Sequence, residues 1–142
     1  EGMTPSVCRN MEEIDRERKA VGAALNVQLD EFLFTNHRYY GHPERDTLHS
    51  FVKQSEVHGG RGPTSPKDLS YRYITEDIPY AMVPLEAVAK AIGVETPVAS
   101  AIVTLASVAN EEDYRQTGRS LKYLKLDGLT KEQIITRFAT GK

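Results

Sequence analysis

The sequence predicts a single all-α domain. Three observations carry this: apolar residues recur at three- and four-residue intervals along most of the chain, no stretch alternates apolar and polar residues over a useful strand length, and helix start and stop signals bracket the periodic segments. A chain of 142 residues suits one compact domain, residues 1–142, of about six to eight helices. Hydrophobic content of 39%, charged content of 27% and a net charge of −2 describe an ordinary globular protein without the basic excess that would neutralise a phosphate backbone, so nucleic acid is not an expected partner. No apolar run approaches the ~18 residues of a membrane span and no charged-then-apolar leader appears, which predicts a cytoplasmic protein with no membrane partner. Cys8 is the sole cysteine; it can form no intrachain disulfide and reads as inert packing. His37, His42, His49 and His58 are spaced five, seven and nine apart, never four, so no metal site is expected and singly they read as surface or loop residues.

Taken in order, Thr4-Pro5 is a cap followed by a first-turn proline, and Val7, Met11, Ile14, Val21 and Leu25 mark a helix over residues 5–25. Its mixed-sign run of Glu12, Glu13, Asp15, Arg16, Glu17, Arg18 and Lys19 reads as a solvated face. Leu29, Phe32, Leu33 and Tyr40 suggest a shorter helix ending near Gly41. After the break at His42-Pro43, Asp46 is placed to cap a helix carrying Leu48, Phe51 and Val52, and Gly59-Gly60-Arg61-Gly62-Pro63 reads as a flexible turn, since it lacks the preceding strand and the spacing of a phosphate-binding loop. Val83, Leu85, Val88, Ala89 and Ile92 trace an apolar face up to Gly93. Thr96-Pro97 repeats the cap-plus-proline start before Val98, Ile102, Leu105, Ala106 and Ala109, whose composition suggests the centre of the domain. A further turn or two is expected over residues 111–116, a short element over residues 120–126, and a capping box of Thr130 and Gln133 opens the last helix, with Ile134, Ile135 and Phe138 inside and Gly141 closing it.

Residues 70–84 gather an arginine, three tyrosines, two adjacent carboxylates and two prolines. Pro79 and Pro84 each lack an N–H and bias the preceding residue toward extended geometry, which predicts a shaped connection rather than one uninterrupted helix. Arg72 and Asp77 would then converge on one small volume, fit for a carboxylate substrate. The same residue types also serve as a surface ion pair or an N-cap, with Thr75 or Asp77 capping the next helix.

The run Arg72-Tyr73-Ile74-Thr75-Glu76-Asp77-Ile78-Pro79-Tyr80 resembles the C-terminal helical domain of the octopine/nopaline (opine) dehydrogenase family. In the same order, Glu1-Gly2-Met3-Thr4-Pro5-Ser6-Val7, Ile14-Asp15-Arg16-Glu17-Arg18, Thr96-Pro97 and Gly118-Arg119-Ser120-Leu121 with Leu124 resemble family positions too, over nearly the whole chain. Lys125 departs from the pattern where glycine is usual, and residues 36–62 do not align. The resemblance implies a fold like the 6-phosphogluconate dehydrogenase C-terminal domain of two-domain dehydrogenases. It also implies an NAD or NADP cofactor held by an N-terminal Rossmann domain that this chain does not contain. The reaction implied is reductive condensation of an amino acid amine with a 2-oxo acid; the chain alone is expected to be inactive, and the resemblance admits a homodimer. By the same resemblance Arg72 holds a substrate carboxylate, Tyr73 and Tyr80 contact substrate, and Asp77 partners a catalytic histidine that lies upstream of this chain and is not His42. Two alternatives stand beside this: a non-catalytic helical binding or dimerisation module on the same scaffold, and a different two-domain reductase.

Overall fold

The computed structural model describes residues 2–41, 47–55, 57 and 68–141, and every regular element among them is helical. The long helix α1, Pro5–Ala24, is the spine. Thr4 caps it by accepting the Val7 N–H at 3.3 Å. Its N-terminal half lays Cys8 against Leu48, Phe51 and Val52 of α3 (Leu48–Gln54), with Leu33 of α2 (Phe32–Tyr40) packed alongside. Its C-terminal half lays Val21 and Leu25 against Val88, Ala89 and Ile92 of α5 (Val83–Ile92) and Ile134 of α8 (Lys131–Thr140). Between α3 and α5 the chain forms α4 (Arg72–Thr75) and a π-helical turn, Ile78–Met82. Between α5 and α8 it forms α6 (Pro97–Ala109) and α7 (Tyr114–Thr117). A third cluster joins Ile78 of the π turn to Val83, Val103 of α6 and Tyr114 of α7. Among the described residues, no helix is long and apolar enough to cross a membrane.

The mixed-sign face of α1 is not simply solvated, which corrects the sequence reading. Three of its carboxylates reach the first turns of other helices, where N–H groups have no intrahelical acceptor. Glu12 accepts the Leu48 N–H at 2.7 Å and Asp15 the Phe32 N–H at 2.8 Å. Glu17, only 5% exposed, takes both Val98 N–H and Ala99 N–H of α6, at 2.7 and 2.9 Å. Thr96, expected to cap α6, makes no side-chain capping bond, because Glu17 already occupies that place. The rest of the run behaves as expected for charged neighbours: Arg16 pairs with Glu13, Arg18 with Asp15, and Lys19 with Glu31.

Other caps follow the sequence. Gly41, Gly93 and Gly141 end α2, α5 and α8 in the left-handed conformation, at φ 64°, 78° and 72°. Thr130 and Gln133 form the reciprocal capping box of α8. Thr47 caps α3 by accepting the Ser50 N–H; Asp46, expected in that role, lies outside the described residues, as do His42-Pro43 and residues 59–63. His37 is buried, edge-on to Phe51 with ring centroids 5.1 Å apart, rather than on the surface. Cys8 is 1% exposed; burial first, and then the nearby Glu12, push its thiol up, so it packs as an unreactive side chain. The short element expected over residues 120–126 is a run of turns at residues 121–125, and Lys125 there adopts φ 58°. That left-handed backbone explains why glycine suits this position; Arg137 holds the turn by donating to the Lys125 carbonyl at 3.1 Å. Helix α6 is central on one face only: Ala99 and Val103 are fully buried, whereas Leu105 and Val108 are 70% and 74% exposed.

Candidate functional site

The two prolines of residues 70–84 do not force the chain into an extended connection. It stays helical from α4 through the π turn into α5, with Pro79 and Pro84 each in the first positions of their segments. The missing N–H of Pro84 is tolerated because the turn widens: the Val83 N–H reaches back five residues to the Ile78 carbonyl. The Pro79 carbonyl, five residues before the N–H-less Pro84, accepts the Arg119 N–H at 2.9 Å. Gly118 makes that approach possible. A Cβ on it would stand 2.6 Å from both the Pro79 and the Tyr114 carbonyl oxygens. Gly118→Ala is therefore expected to lower stability by about 1–3 kcal/mol, since both clashes are with backbone that cannot swing aside. Chemical denaturation checks this, and an unchanged midpoint would mean that the two backbones separate without penalty.

The four side chains singled out in the sequence are all exposed here. Arg72 leads α4 and pairs with Glu76 at 3.3 Å; the two side chains are 67% and 54% exposed. It does not pair with Asp77. Five residues along a helical path separate two side chains by about 140° around the axis, which is why the expected convergence fails. Tyr73 stands edge-on to Tyr71 with centroids 5.0 Å apart. Asp77 precedes the π turn in helical geometry, φ −70° and ψ −33°, and caps nothing with its side chain. Tyr80, within the turn, lies under the Arg119 guanidinium, which sits 5.1 Å from its ring centroid and 5.8 Å from that of Tyr123. An exposed cation over aromatic faces contributes about 0.5–1 kcal/mol, enough to bias the side chain's position.

Arg119 and Tyr123 are not distinguished as site residues by the sequence pattern. The available signal is local charge: residues 114–126 carry Arg115, Arg119, Lys122 and Lys125 and no acid. Arg115 is consumed structurally. It makes a two-pronged contact with Glu86, both bonds 2.8 Å, and also donates to the Ser100 carbonyl and the Thr104 hydroxyl, bracing α5, α6 and α7 together. Burial pushes the Glu86 carboxyl up, but the hydrogen bonds from Arg115 and Ser100 and the charges of Arg115 and Lys90 outweigh it and hold it below the usual carboxylate range. The segment leading into α4 is tied by Asn110, whose amide donates to the Leu69 carbonyl at 3.1 Å and to the Tyr114 hydroxyl at 2.8 Å. The concave surface where α1 meets α2 and α3 is lined by Glu12, Asp15, Lys19 and Glu31, groups already engaged in caps and ion pairs. Among the described residues no group of three His, Cys, Asp or Glu side chains is placed to hold a metal ion.

The all-helical fold and the Arg-Tyr-x-x-Glu-Asp-x-Pro turn define a helical domain of dehydrogenase type. Residues 1–110 match the family described as NAD/NADP octopine/nopaline dehydrogenase, alpha-helical domain, and the chain belongs to that family. The match includes residues 36–62, which motif order alone does not align. The chain is 34% identical over 130 residues to opine dehydrogenase of Arthrobacter sp. (strain 1C), covering 92% of this chain and 35% of that protein. It is 30% identical over 125 residues to Protein ocs of Agrobacterium vitis, covering 86% and 33%. It is 27% identical over 131 residues to vitopine synthase of Allorhizobium ampelinum (strain ATCC BAA-846 / DSM 112012 / S4), covering 92% and 36%. The chain thus spans about a third of the length of the curated relatives it matches.

Proposed function

We propose that this chain is the substrate-side helical domain of an NAD(P)H-dependent oxidoreductase that reductively condenses the amine of an amino acid with a 2-oxo acid. The observation that carries the reading is the family match over residues 1–110, which contains the whole Arg72–Glu76–Asp77–Tyr80 turn. Every regular element among the described residues is helical and no strand there leads into a glycine-rich turn that would cradle a pyrophosphate, so none of these residues is assigned to the dinucleotide. Cofactor binding falls instead to a nucleotide-binding domain joined to this one. In this reading Arg72 offers its fork of donors to a substrate carboxylate. Its pairing with Glu76 is no obstacle, because an ion pair this exposed contributes only about 0–1 kcal/mol. Asp77 orients and supports an imidazole that carries the proton, and Tyr73 and Tyr80 flank the substrate.

The reading is tested by measuring NAD(P)H oxidation by the intact enzyme with pairs of amino acids and 2-oxo acids; absence of turnover with every pair, on protein that binds NAD(P)H, would remove it. Arg72→Lys refines the test. A lysine keeps the charge but loses the two parallel N–H donors, so binding of one carboxylate substrate is expected to weaken by about 1.5–3 kcal/mol, read as a raised KM with turnover retained. Unmoved KM values for both substrates would reduce Arg72 to a surface residue. A second reading, a helical binding or dimerisation module, is favoured by the outward apolar face of α6 at Leu105 and Val108. Turnover of an amine with a 2-oxo acid separates the two.

A further inference from the structure

We infer that Arg119, set over the rings of Tyr80 and Tyr123, is a carboxylate-anchoring residue for substrate. The inference rests on the proposed condensation and adds a residue to it. Four observations converge. First, the Arg119 backbone is pinned to the π turn through the Pro79 carbonyl at 2.9 Å, with Gly118 wedged against the same residue, so the side chain springs from the wall that also carries Asp77 and Tyr80. Second, its guanidinium is positioned over two tyrosine rings, 5.1 and 5.8 Å from their centroids. Third, it makes no side-chain hydrogen bond or ion pair among the described residues, in contrast to Arg16, Arg18, Arg72 and Arg115, each of which meets a carboxylate. Fourth, the acid nearest before it, Asp113, is engaged by the Arg115 N–H at 3.1 Å and the Gln116 amide at 2.7 Å, and no acid lies between Asp113 and Asp127.

An arginine set over aromatic rings spends none of its N–H donors on another acceptor, and that unspent fork is the group that receives a carboxylate with two parallel bonds. The proposed reaction creates the need for such a group. Its product is a secondary amine bearing two carboxylates, one inherited from the amino acid and one from the 2-oxo acid, and one guanidinium edge receives only one of them. Arg72 takes one carboxylate and Arg119 the other. Tyr123 acts on Arg119 alone, as a positioning residue, whereas Tyr80 both flanks the substrate and helps to set Arg119.

The experiment measures KM for each carboxylate substrate and kcat in the intact enzyme, comparing wild type with Arg119→Gln and Arg119→Lys. Arg119→Gln is expected to raise one KM by about tenfold to a hundredfold while kcat and the melting temperature hardly move; Arg119→Lys recovers part of the loss. KM values for both substrates that do not move in Arg119→Gln would overturn the assignment. Should the wild-type enzyme turn over no pair of substrates, the condensation reading fails and the anchor is judged separately, by titrating the 142-residue chain with pyruvate while reading the Arg119 Nε–H signal by NMR. A saturable shift that is absent with chloride at equal ionic strength, and lost in Arg119→Gln, upholds the site. A linear shift matched by chloride overturns it.

Discussion

Replacing Asp77 by asparagine in the intact enzyme is expected to lower turnover by ~10²–10⁴-fold, the range of a general acid–base contribution, with little change in melting temperature or NAD(P)H affinity. The fold gives a clean separation of the two effects. Asp77 is exposed, already in helical geometry, and its carboxylate caps no helix, so losing the charge removes no structural bond. A surface substitution of this kind shifts stability by less than about 0.5 kcal/mol. The pH profile supplies the sign. A carboxylate beside an imidazole favours the protonated ring and raises its pKa; with asparagine in its place that pKa falls, and the limb of the profile governed by the ring moves to lower pH. Normal turnover per folded molecule in the purified variant, with an unmoved profile, would take Asp77 out of the catalytic machinery.

The largest stability effect is expected at Glu17, far from that chemistry. Glu17→Ala should lower unfolding free energy by about 2–4 kcal/mol, because it deletes two charge-assisted bonds and strands the buried Ala99 N–H and the part-buried Val98 N–H. Ala99 is fully buried, and Thr96, at the cap position that Glu17 now fills, has one hydroxyl to offer two donors. Glu17→Gln keeps the length and one acceptor oxygen and is expected to lose roughly half as much. Urea unfolding of the 142-residue chain measures both. Equal midpoints for wild type and Glu17→Ala would mean that α6 finds another cap.

What the sequence disclosed and what it hid divide along the range of the interactions involved. Helix boundaries written into neighbouring residues were legible: Thr4 ahead of Pro5, Thr130 with Gln133, and the glycines after α2, α5 and α8. Features closed by distant residues were not. Glu17 sits in a run of mixed charge, and nothing local distinguishes it from Glu13, which stays near the surface with Arg16; only packing of α6 against α1 reveals its partner. The turn of residues 70–84 is recognisable by its residue types, but its backbone is not the extended one they suggest. Prolines argue against an ordinary helix, and the chain answers with a wider turn after Asp77, while the ordinary helical path before it sets Arg72 beside Glu76 rather than Asp77. Arg119 is visible in the sequence only as part of a family pattern; its proximity to Tyr80 depends on a backbone contact across about forty residues of chain.

The three capping carboxylates of α1 also bear on the order of assembly. Their partners lie 17, 36 and 81 residues downstream for Asp15, Glu12 and Glu17 respectively. Closing a longer loop forfeits more chain entropy, though only as the logarithm of its length, so the contact of α2 with α1 is the easiest to make and that of α6 the hardest. On a ribosome the same sequence holds for a simpler reason, since α6 emerges last of the three. Until then the first turn of α6 lacks its acceptor and the buried Glu17 lacks its donors. The docking of α6 thus becomes the step at which the half-formed domain commits, and transition-state mapping at Ala99 and Val103 should find their native contacts formed late.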